Sequence, residues 1–285
     1  HCMMRVLFVS DFSLEQNSGG AQLSNSLIIE RGRELGYEVV EHNHTSSVVD
    51  FLSYYDLLIS SNLEIINNKN PEKLDFIIKH PKHIRLEHDS CLYLEPNRRK
   101  DLFESTKKIF FLSNFHREFF KKMYGDYFCN TEINYDPINT NIFKKVDCEK
   151  DYDVVYCGYL HPLKGLNHLI DFAKSNLNRN VDVFGWGEMN IEALFNPYPN
   201  IKFNGQKKHS EIAEVFQKCN SLFHHPIVNE PFCRMIAEAL LCGVEDIIGD
   251  TNKLGSYLEF QNVGYDEFKN GCKNAASIFW EKTLL

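Results

Sequence analysis

The sequence lacks a C-x-x-C pair, although it contains nine cysteines. An odd number of scattered cysteines is typical of a reducing compartment and argues against a disulfide framework or a cysteine-based zinc site. No apolar run approaches roughly 18 residues, and the first residues lack the charged and apolar regions of a signal peptide. We therefore expect a cytoplasmic protein that is neither secreted nor membrane-spanning.

The chain also lacks an excess of positive charge. Its formal net charge is -8, whereas 43% hydrophobic and 25% charged residues are ordinary values for a globular protein. A protein that binds nucleic acid by neutralising phosphates needs the opposite balance. The basic pairs Arg98-Arg99, Lys121-Lys122 and Lys207-Lys208 are then expected to be solvated surface, and no nucleic-acid partner is predicted.

A third missing feature is the dinucleotide fingerprint G-x-G-x-x-G after the first strand. The loop from Asp11 to Gly19 is longer than that tight turn permits, which disfavours a nicotinamide dehydrogenase. Gly19 and Gly20 nevertheless precede a helix, where a backbone without Cβ atoms can approach a phosphate. The alternative is that these two glycines merely allow a turn.

Short β-rich runs alternate with helical patterns along the whole chain, which predicts parallel sheets covered by helices. A turn-rich stretch at 136–141 suggests a boundary between an N-terminal domain, 1–140, and a C-terminal domain, 141–285. The predicted fold class is α/β, with two Rossmann-like domains facing each other across a cleft. A final helix-like segment, Tyr265–Lys282, is expected to pack back on the N-terminal domain.

Two glutamates stand eight positions apart around a predicted helix start. Pro231 suits the edge of a helix but not its interior, so Glu230 belongs to a loop and Glu238 to the helix beyond it. The helix amides near Phe232–Arg234 would form a phosphate site, and the flanking carboxylates could accept hydrogen bonds from sugar or ribose hydroxyls. The combination suggests a nucleotide sugar. The alternative is that both acids are helix-end charges.

Three further loops in the second half follow predicted strands, where open α/β sheets place their ligands. Gly158 is followed by Lys164, which could contact a diphosphate but could also be an ordinary surface lysine. Gly185 and Gly205 occupy the corresponding places after the next two strands. We therefore expect these glycines to line the donor site.

Metal and nucleophile chemistry have weaker support. Asp151-Tyr152-Asp153 resembles a metal-binding D-x-D pair, but it precedes a strand instead of following one. His224-His225 and the other histidine pairs lack a convincing set of companion ligands. Cys233 could have a lowered thiol pKa near a helix start, yet no general base points to a covalent mechanism. No metal or other cofactor is predicted.

Taken in order, these loops resemble family 4 of the retaining glycosyltransferases, which have the GT-B fold. The resemblance covers nearly the whole chain and is strongest over 154–248, where a G-x-L loop with lysine-glycine, a G-x-G loop, a later glycine and the E-x7-E segment occur in sequence. Weaker similarities are Gly19-Gly20, Glu87-His88-Asp89, Ser113 and the segment 138–143. The ordered set is far more specific than any single member.

The resemblance implies a role for each matching position. Glu230 would lie by the hydroxyls of the donor sugar, and Glu238 would hold the nucleotide ribose. Lys164 would neutralise the diphosphate, and the Gly19-Gly20 loop would close on it. His88 matches a histidine often found near the transferred sugar and the acceptor, although it could be a structural hydrogen-bonding residue.

The chain departs from the family pattern at three places. Tyr159 stands where arginine commonly follows the glycine of the G-x-L loop, so one phosphate-binding cation is missing. Arg234 is a candidate replacement, because its guanidinium could reach a phosphate. Cys233 occupies a place that is usually glycine, and Val244-Glu245 stands where glycine-proline is usual. These departures put the acceptor site and catalytic competence in question.

The predicted function is metal-independent transfer of a sugar, with retention, from a UDP- or GDP-sugar to an acceptor hydroxyl. The acceptor could be a carbohydrate, a lipid-linked molecule or a small molecule, and a lipid-linked acceptor would bring the protein to a membrane surface. Two alternatives stay open. One is a catalytically silent partner that binds nucleotide sugars, and the other is a sugar-nucleotide epimerase.

Overall fold

The computed structural model describes residues 3–125 and 130–284. The chain forms two compact units, one comprising His1–Pro137 with Gly271–Leu285 and the other comprising Ile138–Asn270. The chain passes from the first unit to the second at Pro137, inside the turn-rich stretch where the sequence suggests a boundary. No helix in the described ranges combines the length and the apolar character needed to cross a membrane.

The first unit contains a parallel sheet with the strand order β2-β1-β3-β4-β5-β6. Its strands are β1 (Arg5–Val9), β2 (Glu38–His42), β3 (Leu57–Ser60), β4 (His83–Leu86), β5 (Lys108–Phe111) and β6 (Thr131–Ile133). The first helices of the chain accompany this sheet: α1 (Gly20–Glu34), α2 (Glu64–Lys69), α3 (Pro71–Lys79), α4 (Pro96–Ser105) and α5 (Asn114–Tyr124).

Strand β1 shows why this sheet is buried on both faces. Successive side chains of a strand point to opposite sides. Leu7 and Val9 join one hydrophobic cluster, and Val6 and Phe8 join another. A strand covered by helices on both sides therefore appears in the sequence as a continuous apolar run.

The second unit contains a parallel sheet with the strand order β11-β10-β7-β8-β9. Its strands are β7 (Tyr152–Tyr159), β8 (Val181–Trp186), β9 (Ile201–Gly205), β10 (Cys219–Phe223) and β11 (Asp246–Ile248). The helices that follow in chain order are α6 (Leu166–Ser175), α7 (Ile191–Phe195), α8 (His209–Gln217), α9 (Arg234–Leu241), α10 (Gly255–Val263) and α11 (Tyr265–Lys273).

The helix-like segment predicted over 265–282 is helical, but it is interrupted once. The structure has two helices there, α11 and α12 (Ala275–Leu284), separated at Asn274. Phe268 of α11 packs against Phe232 in the second unit. Trp280 of α12 is buried in the first unit, where its indole N–H donates to the Ile28 carbonyl over 2.8 Å. The two halves of the segment thus pack in different places, which a single periodic pattern does not reveal.

Candidate functional site

Lys164 and Glu230 meet in the second unit. Lys164 ends a short 3-10 helix, Pro162–Lys164, that follows β7, and its ammonium lies 3.0 Å from Oε1 of Glu230. The Glu230 backbone is held at both ends, because its N–H donates to the Lys253 carbonyl and its carbonyl accepts from the Gly255 N–H. The acid is therefore fixed in a loop before α9, in contact with the lysine.

His224 and Cys233 complete this cluster. His224 lies just after β10, and its Nε2 is 3.2 Å from Oε2 of Glu230 and 3.6 Å from Sγ of Cys233. The prediction that His224 lacks a convincing set of companion ligands is wrong, because the carboxylate of Glu230 and the thiol of Cys233 lie beside it. The one available signal was its position at the carboxyl end of a strand. Lys164, Glu230, His224 and Cys233 are called the acid cluster below.

The protonation states in the acid cluster follow from its contacts. Burial alone would raise the pKa of Glu230, but the hydrogen bond and charge of His224, together with Lys164, hold that pKa below its usual value. Burial lowers the pKa of Lys164, but the Glu230 charge outweighs it and raises that pKa. Burial and Glu230 raise the pKa of the Cys233 thiol well above its usual value. The cluster thus holds a carboxylate, an ammonium and a neutral thiol.

A ring proton of His224 can be assigned to one nitrogen from the surroundings of the ring. Its Nε2 faces the carboxylate of Glu230, an acceptor, whereas its buried Nδ1 has no hydrogen-bond partner within the described part of the chain. A proton on Nε2 makes a charge-assisted hydrogen bond, whereas a proton on Nδ1 would be buried without an acceptor. The Nε2–H tautomer is therefore favoured.

The backbone at Cys233 is unusual. Cys233 precedes α9 with φ 68° and ψ 85°, and among the described residues it alone has a positive φ without being glycine. The left-handed region is costly for a residue with a Cβ, and such strain clusters at functional sites. Cys233 stands at a position where the family resemblance leads us to expect glycine, and this conformation gives a physical reason for that preference.

Phe232 does not contribute its side chain to the site. Its ring is fully buried and stacks on Phe268, and its carbonyl accepts from the Ser256 N–H. Any contribution of Phe232 to donor binding is limited to its backbone amide. The sequence could not show this, because a phenylalanine beside a phosphate site and one in a core look alike.

Glu238 lies on α9, apart from the acid cluster, and has a partner of its own. Its buried carboxylate is 2.5 Å from Nε2 of His209, the first residue of α8. The hydrogen bond to Glu238 raises the pKa of His209 against burial and the charge of Arg234. Arg234 is thus near this pair, at the first turn of α9. His209 also packs its ring against Phe143, and the sequence analysis missed it.

Glycine is needed for different structural reasons at the three positions of the predicted donor loops. Gly158 and Gly185 are register partners on β7 and β8, and a Cβ on Gly185 would lie 2.1 Å from the Gly158 carbonyl oxygen. Gly185 is therefore required by strand packing. Gly158 and Gly205 have φ of 123° and 77°, and a Cβ at either would meet only open space, so conformation is their constraint.

Tyr159 and Trp186 form an aromatic group beside these glycines. Tyr159 stacks on His161 with ring centroids 5.3 Å apart and lies 5.8 Å from Trp186. Nearby, residues at the ends of β8 and β9 line an open pocket of about 410 Å³ that includes Trp186, Met189, Gly205 and Gln206. Tyr159, which stands where the family resemblance leads us to expect arginine, carries no positive charge.

The remaining predicted site residues lie in the first unit. His88 follows β4, and its buried ring contacts the Asn25 side-chain oxygen on α1 over 2.7 Å. Asn25 in turn donates to Ser61, after β3. Gly19 and Gly20 stand at the start of the same helix α1, whose first turn has no side-chain cap. The structure therefore joins His88 and the glycine loop through α1.

Comparison with known proteins gives a consistent picture. Residues 138–265 match the model of the family Glycosyl transferases group 1. A sucrose-phosphate synthase from Thermosynechococcus elongatus superposes with a TM-score of 0.70 at 14% identity, covering 98% of this chain and 96% of that one. AviGT4, a glycosyltransferase involved in avilamycin A biosynthesis, has a TM-score of 0.63 at 13% identity, covering 99% and 97%.

A third similar structure is that of Anabaena HepE in complex with UDP, with a TM-score of 0.63, 16% identity and coverage of 96% and 94%. No curated protein matches the sequence. The predicted fold class, α/β with two parallel sheets of the GT-B type, is confirmed by these structures and by the two sheets described above.

Proposed function

We propose that this chain is a retaining, metal-independent glycosyltransferase that moves a sugar from a nucleotide diphosphate sugar to an acceptor hydroxyl. The observation that carries the proposal is the acid cluster, in which Lys164 and Glu230 meet beside the first turn of α9. The match of 138–265 to a glycosyltransferase family supports it. UDP and UDP-glucose are bound in structures of HepE, which supports a UDP-sugar as the donor, with a GDP-sugar as the other candidate.

The chemistry requires stabilisation of the departing nucleotide diphosphate. Breaking the anomeric bond places negative charge on it, and fixed positive groups stabilise that charge in the transition state. Lys164 supplies a full charge, and the N-terminal amides of α9 supply partial charge. No metal is needed for these contacts.

Glu230 would orient the donor sugar rather than act as an acid. A carboxylate with a lowered pKa stays ionised and accepts hydrogen bonds from sugar hydroxyls. Retention then follows from attack of the acceptor hydroxyl on the face from which the diphosphate departs. Glu238 would hold the ribose hydroxyls, Arg234 would contact a phosphate, and His88 would act near the acceptor.

A donor screen tests the proposal. We expect one UDP- or GDP-sugar, among UDP-, GDP- and ADP-sugars, to raise the melting temperature and to be slowly hydrolysed. A ligand at a hundredfold excess over Kd stabilises the folded state by about 2.7 kcal/mol. Glu230→Gln should abolish hydrolysis, whereas Glu214→Gln, which alters an exposed ion pair with Lys218, should not.

One observation favours the alternative of a catalytically silent nucleotide-sugar partner. Tyr159 stacks on His161 and supplies no charge, so leaving-group stabilisation rests on fewer cations. Tight nucleotide binding without hydrolysis or transfer to any acceptor would select the silent partner. Release of a free epimerised sugar nucleotide without an acceptor would select an epimerase, and the absence of any nucleotide-dependent stabilisation would overturn the proposal altogether.

A further inference from the structure

The acid cluster contains three side-chain atoms of the types that bind thiophilic metal ions. His224, Glu230 and Cys233 each offer one such atom, and the three atoms lie within 4.8 Å of one another. We propose that these three residues form an inhibitory binding site for a divalent ion of the zinc class. The binding itself is independent of the proposed function, whereas the inhibition rests on it.

The spacing of the three atoms suits tetrahedral coordination. Bonds of about 2.1 Å to nitrogen or oxygen and about 2.3 Å to sulfur give tetrahedral edges of about 3.4 Å for N···O and about 3.6 Å for N···S. The observed separations from Nε2 are 3.2 Å to the carboxylate oxygen and 3.6 Å to the sulfur. An ion can therefore be bound with small side-chain movements and a fourth position left open to water or a ligand.

The charge and the protons of the site balance without any redox step. The ion bonds to the Cys233 thiolate, to Glu230 and to Nε2 of His224, so two positive charges meet two negative ones. The thiol proton leaves to solvent, and the imidazole of His224 binds the ion through a deprotonated Nε2, with its remaining proton on Nδ1. Metal ions deprotonate thiols whose own pKa is high, so the raised pKa of Cys233 does not prevent binding.

Two features make the site weaker than a closed structural zinc site. Within the described residues, Nδ1 of His224 has no partner to accept its proton, whereas metal-bound histidines normally donate from that nitrogen. The ammonium of Lys164 lies 3.0 Å from the other carboxylate oxygen of Glu230 and repels a cation. We therefore expect the metal ion to bind reversibly, in competition with the ion pair between Lys164 and Glu230.

Cys233 has a conformation that argues for a role of its side chain. Glycine would adopt φ 68° without strain, yet this chain holds a cysteine there, with its sulfur against His224. A thiol that served only as packing would not require this position. The soft sulfur, the imidazole nitrogen and the carboxylate oxygen together form a ligand set that favours zinc over magnesium.

Binding would block the proposed reaction. The ion would neutralise Glu230 and occupy the space in which the donor sugar meets that carboxylate. Zinc should therefore inhibit donor hydrolysis at concentrations that fill the site, and a chelator should restore it. Magnesium should not inhibit, because it prefers oxygen ligands in octahedral geometry.

Cobalt(II) is the probe for the binding test. Titration of the full chain should give the intense absorption of tetrahedral cobalt and a thiolate-to-cobalt charge-transfer band, and zinc should displace both. Cys233→Gly, which suits the positive φ, should remove the charge-transfer band and weaken binding at least about 100-fold. Cys148→Ser, a half-buried cysteine whose sulfur contacts the Gln217 carbonyl, should keep both signals.

Two further variants make the result decisive. His224→Gln should also lose tetrahedral cobalt, whereas Lys164→Met should bind cobalt more tightly, because the repelling charge is gone. Cobalt spectra identical in the wild type and Cys233→Gly, or pale octahedral spectra throughout, would overturn the site. If the protein binds tetrahedral cobalt but hydrolyses no sugar nucleotide, the metal site is supported. Only the proposed function is then contradicted.

Discussion

The ammonium of Lys164 lies 3.0 Å from Oε1 of Glu230, whose side chain is 10% exposed, whereas the lysine side chain is 44% exposed. The pair thus has one buried and one accessible member. A ligand phosphate can contact the ammonium of Lys164 without any rearrangement of the core, while the buried carboxylate of Glu230 stays in place. This asymmetry separates catalytic from structural effects of mutation.

Lys164→Met is expected to lower donor hydrolysis by about 10²–10³-fold, the cost of removing one fixed group that stabilises developing negative charge. Stability should fall by about 1 kcal/mol, because the lysine is accessible and the buried carboxylate of Glu230 keeps its contact with His224. Initial rates and urea midpoints measure the two effects. Lys218→Met, which removes a lysine paired with Glu214 and Asp151, serves as the control. Equal losses in both variants would contradict the role of Lys164.

His209→Ala is expected to raise the KM for the donor about tenfold while changing kcat by less than about twofold. His209 holds Glu238, which would bind the ribose of both the ground state and the transition state, so its loss weakens uniform binding. His209→Gln can still donate to Glu238 and should recover most of the affinity. A loss of kcat without a change in KM would contradict a positioning role.

The same pair predicts a pH effect. The pKa of His209 is raised by Glu238, against burial and the charge of Arg234. The charged contact is then complete below about pH 6.5, the ordinary histidine value, and is lost as the pH rises through the raised pKa. The KM for the donor should rise over that window in the wild type but not in His209→Gln. Because His209 is half exposed, the matching change in stability should stay under about 1 kcal/mol.

Much of the fold is predictable because buried parallel strands form continuous apolar runs. The predicted placement of Glu230 in a loop and of Glu238 in the helix beyond it also agrees with the bounds of α9, since Pro231 marks where a helix can begin. Other elements are harder to recognise in the sequence, and the helix α10 is an example. Helix α10 begins at Gly255, and few of its residues are buried, so its pattern contrasts little with a loop.

The site is predictable only where ordered motifs carry it. Lys164 and Glu230 follow from the family pattern, and the structure brings them into contact. The sequence does not single out His209, and His224 has only its position at the end of a strand as a signal. The partners of both lie on other elements, and histidine occurs in many ordinary positions. The strain at Cys233 is also a three-dimensional property, although the replacement of an expected glycine is a usable signal.

Asp89 predicts a second pH effect, confined to the first unit. Burial, with the nearby charges of Glu87 and Glu64, raises the pKa of Asp89 to about 7, against Arg85 and a hydrogen bond from Asn62. The folded state therefore binds a proton that the unfolded state releases above about pH 4. This proton uptake lowers the free energy of unfolding by on the order of 1–4 kcal/mol as the pH rises from about 4 to 7.

Asp89→Asn should remove that loss, because the amide is neutral at every pH and can still accept a hydrogen bond. We expect little difference from the wild type at pH 5 and a higher melting temperature for the variant at pH 8. Asp101→Asn, on the exposed side of α4, provides the control. A constant difference between variant and wild type across the pH range would show that Asp89 does not titrate in this window.

Two neighbours hold Gly32 of α1 to glycine, because an added Cβ would clash with Trp280 and would lie 3.0 Å from Cγ2 of Val39. A Cβ there would lie 2.4 Å from Cζ2 of Trp280, which is fully buried. Gly32→Ala gains up to about 1 kcal/mol of helix propensity, but the clash in a packed core should outweigh it and give a net loss of about 1–3 kcal/mol. Gly20→Ala on the same helix meets no atom within 4 Å and should be close to neutral.

A double-mutant cycle tests the cause of this loss. Trp280→Phe removes the ring atoms that a Cβ on Gly32 would meet, together with the indole hydrogen bond to the Ile28 carbonyl. It should destabilise the protein alone, yet Gly32→Ala should then cost much less than in the wild type, with a coupling of about 1 kcal/mol or more. Urea midpoints of the four proteins measure the coupling. Additive losses would mean that Trp280 is not the constraint, and that the packing of α12 on α1 differs from the arrangement described above.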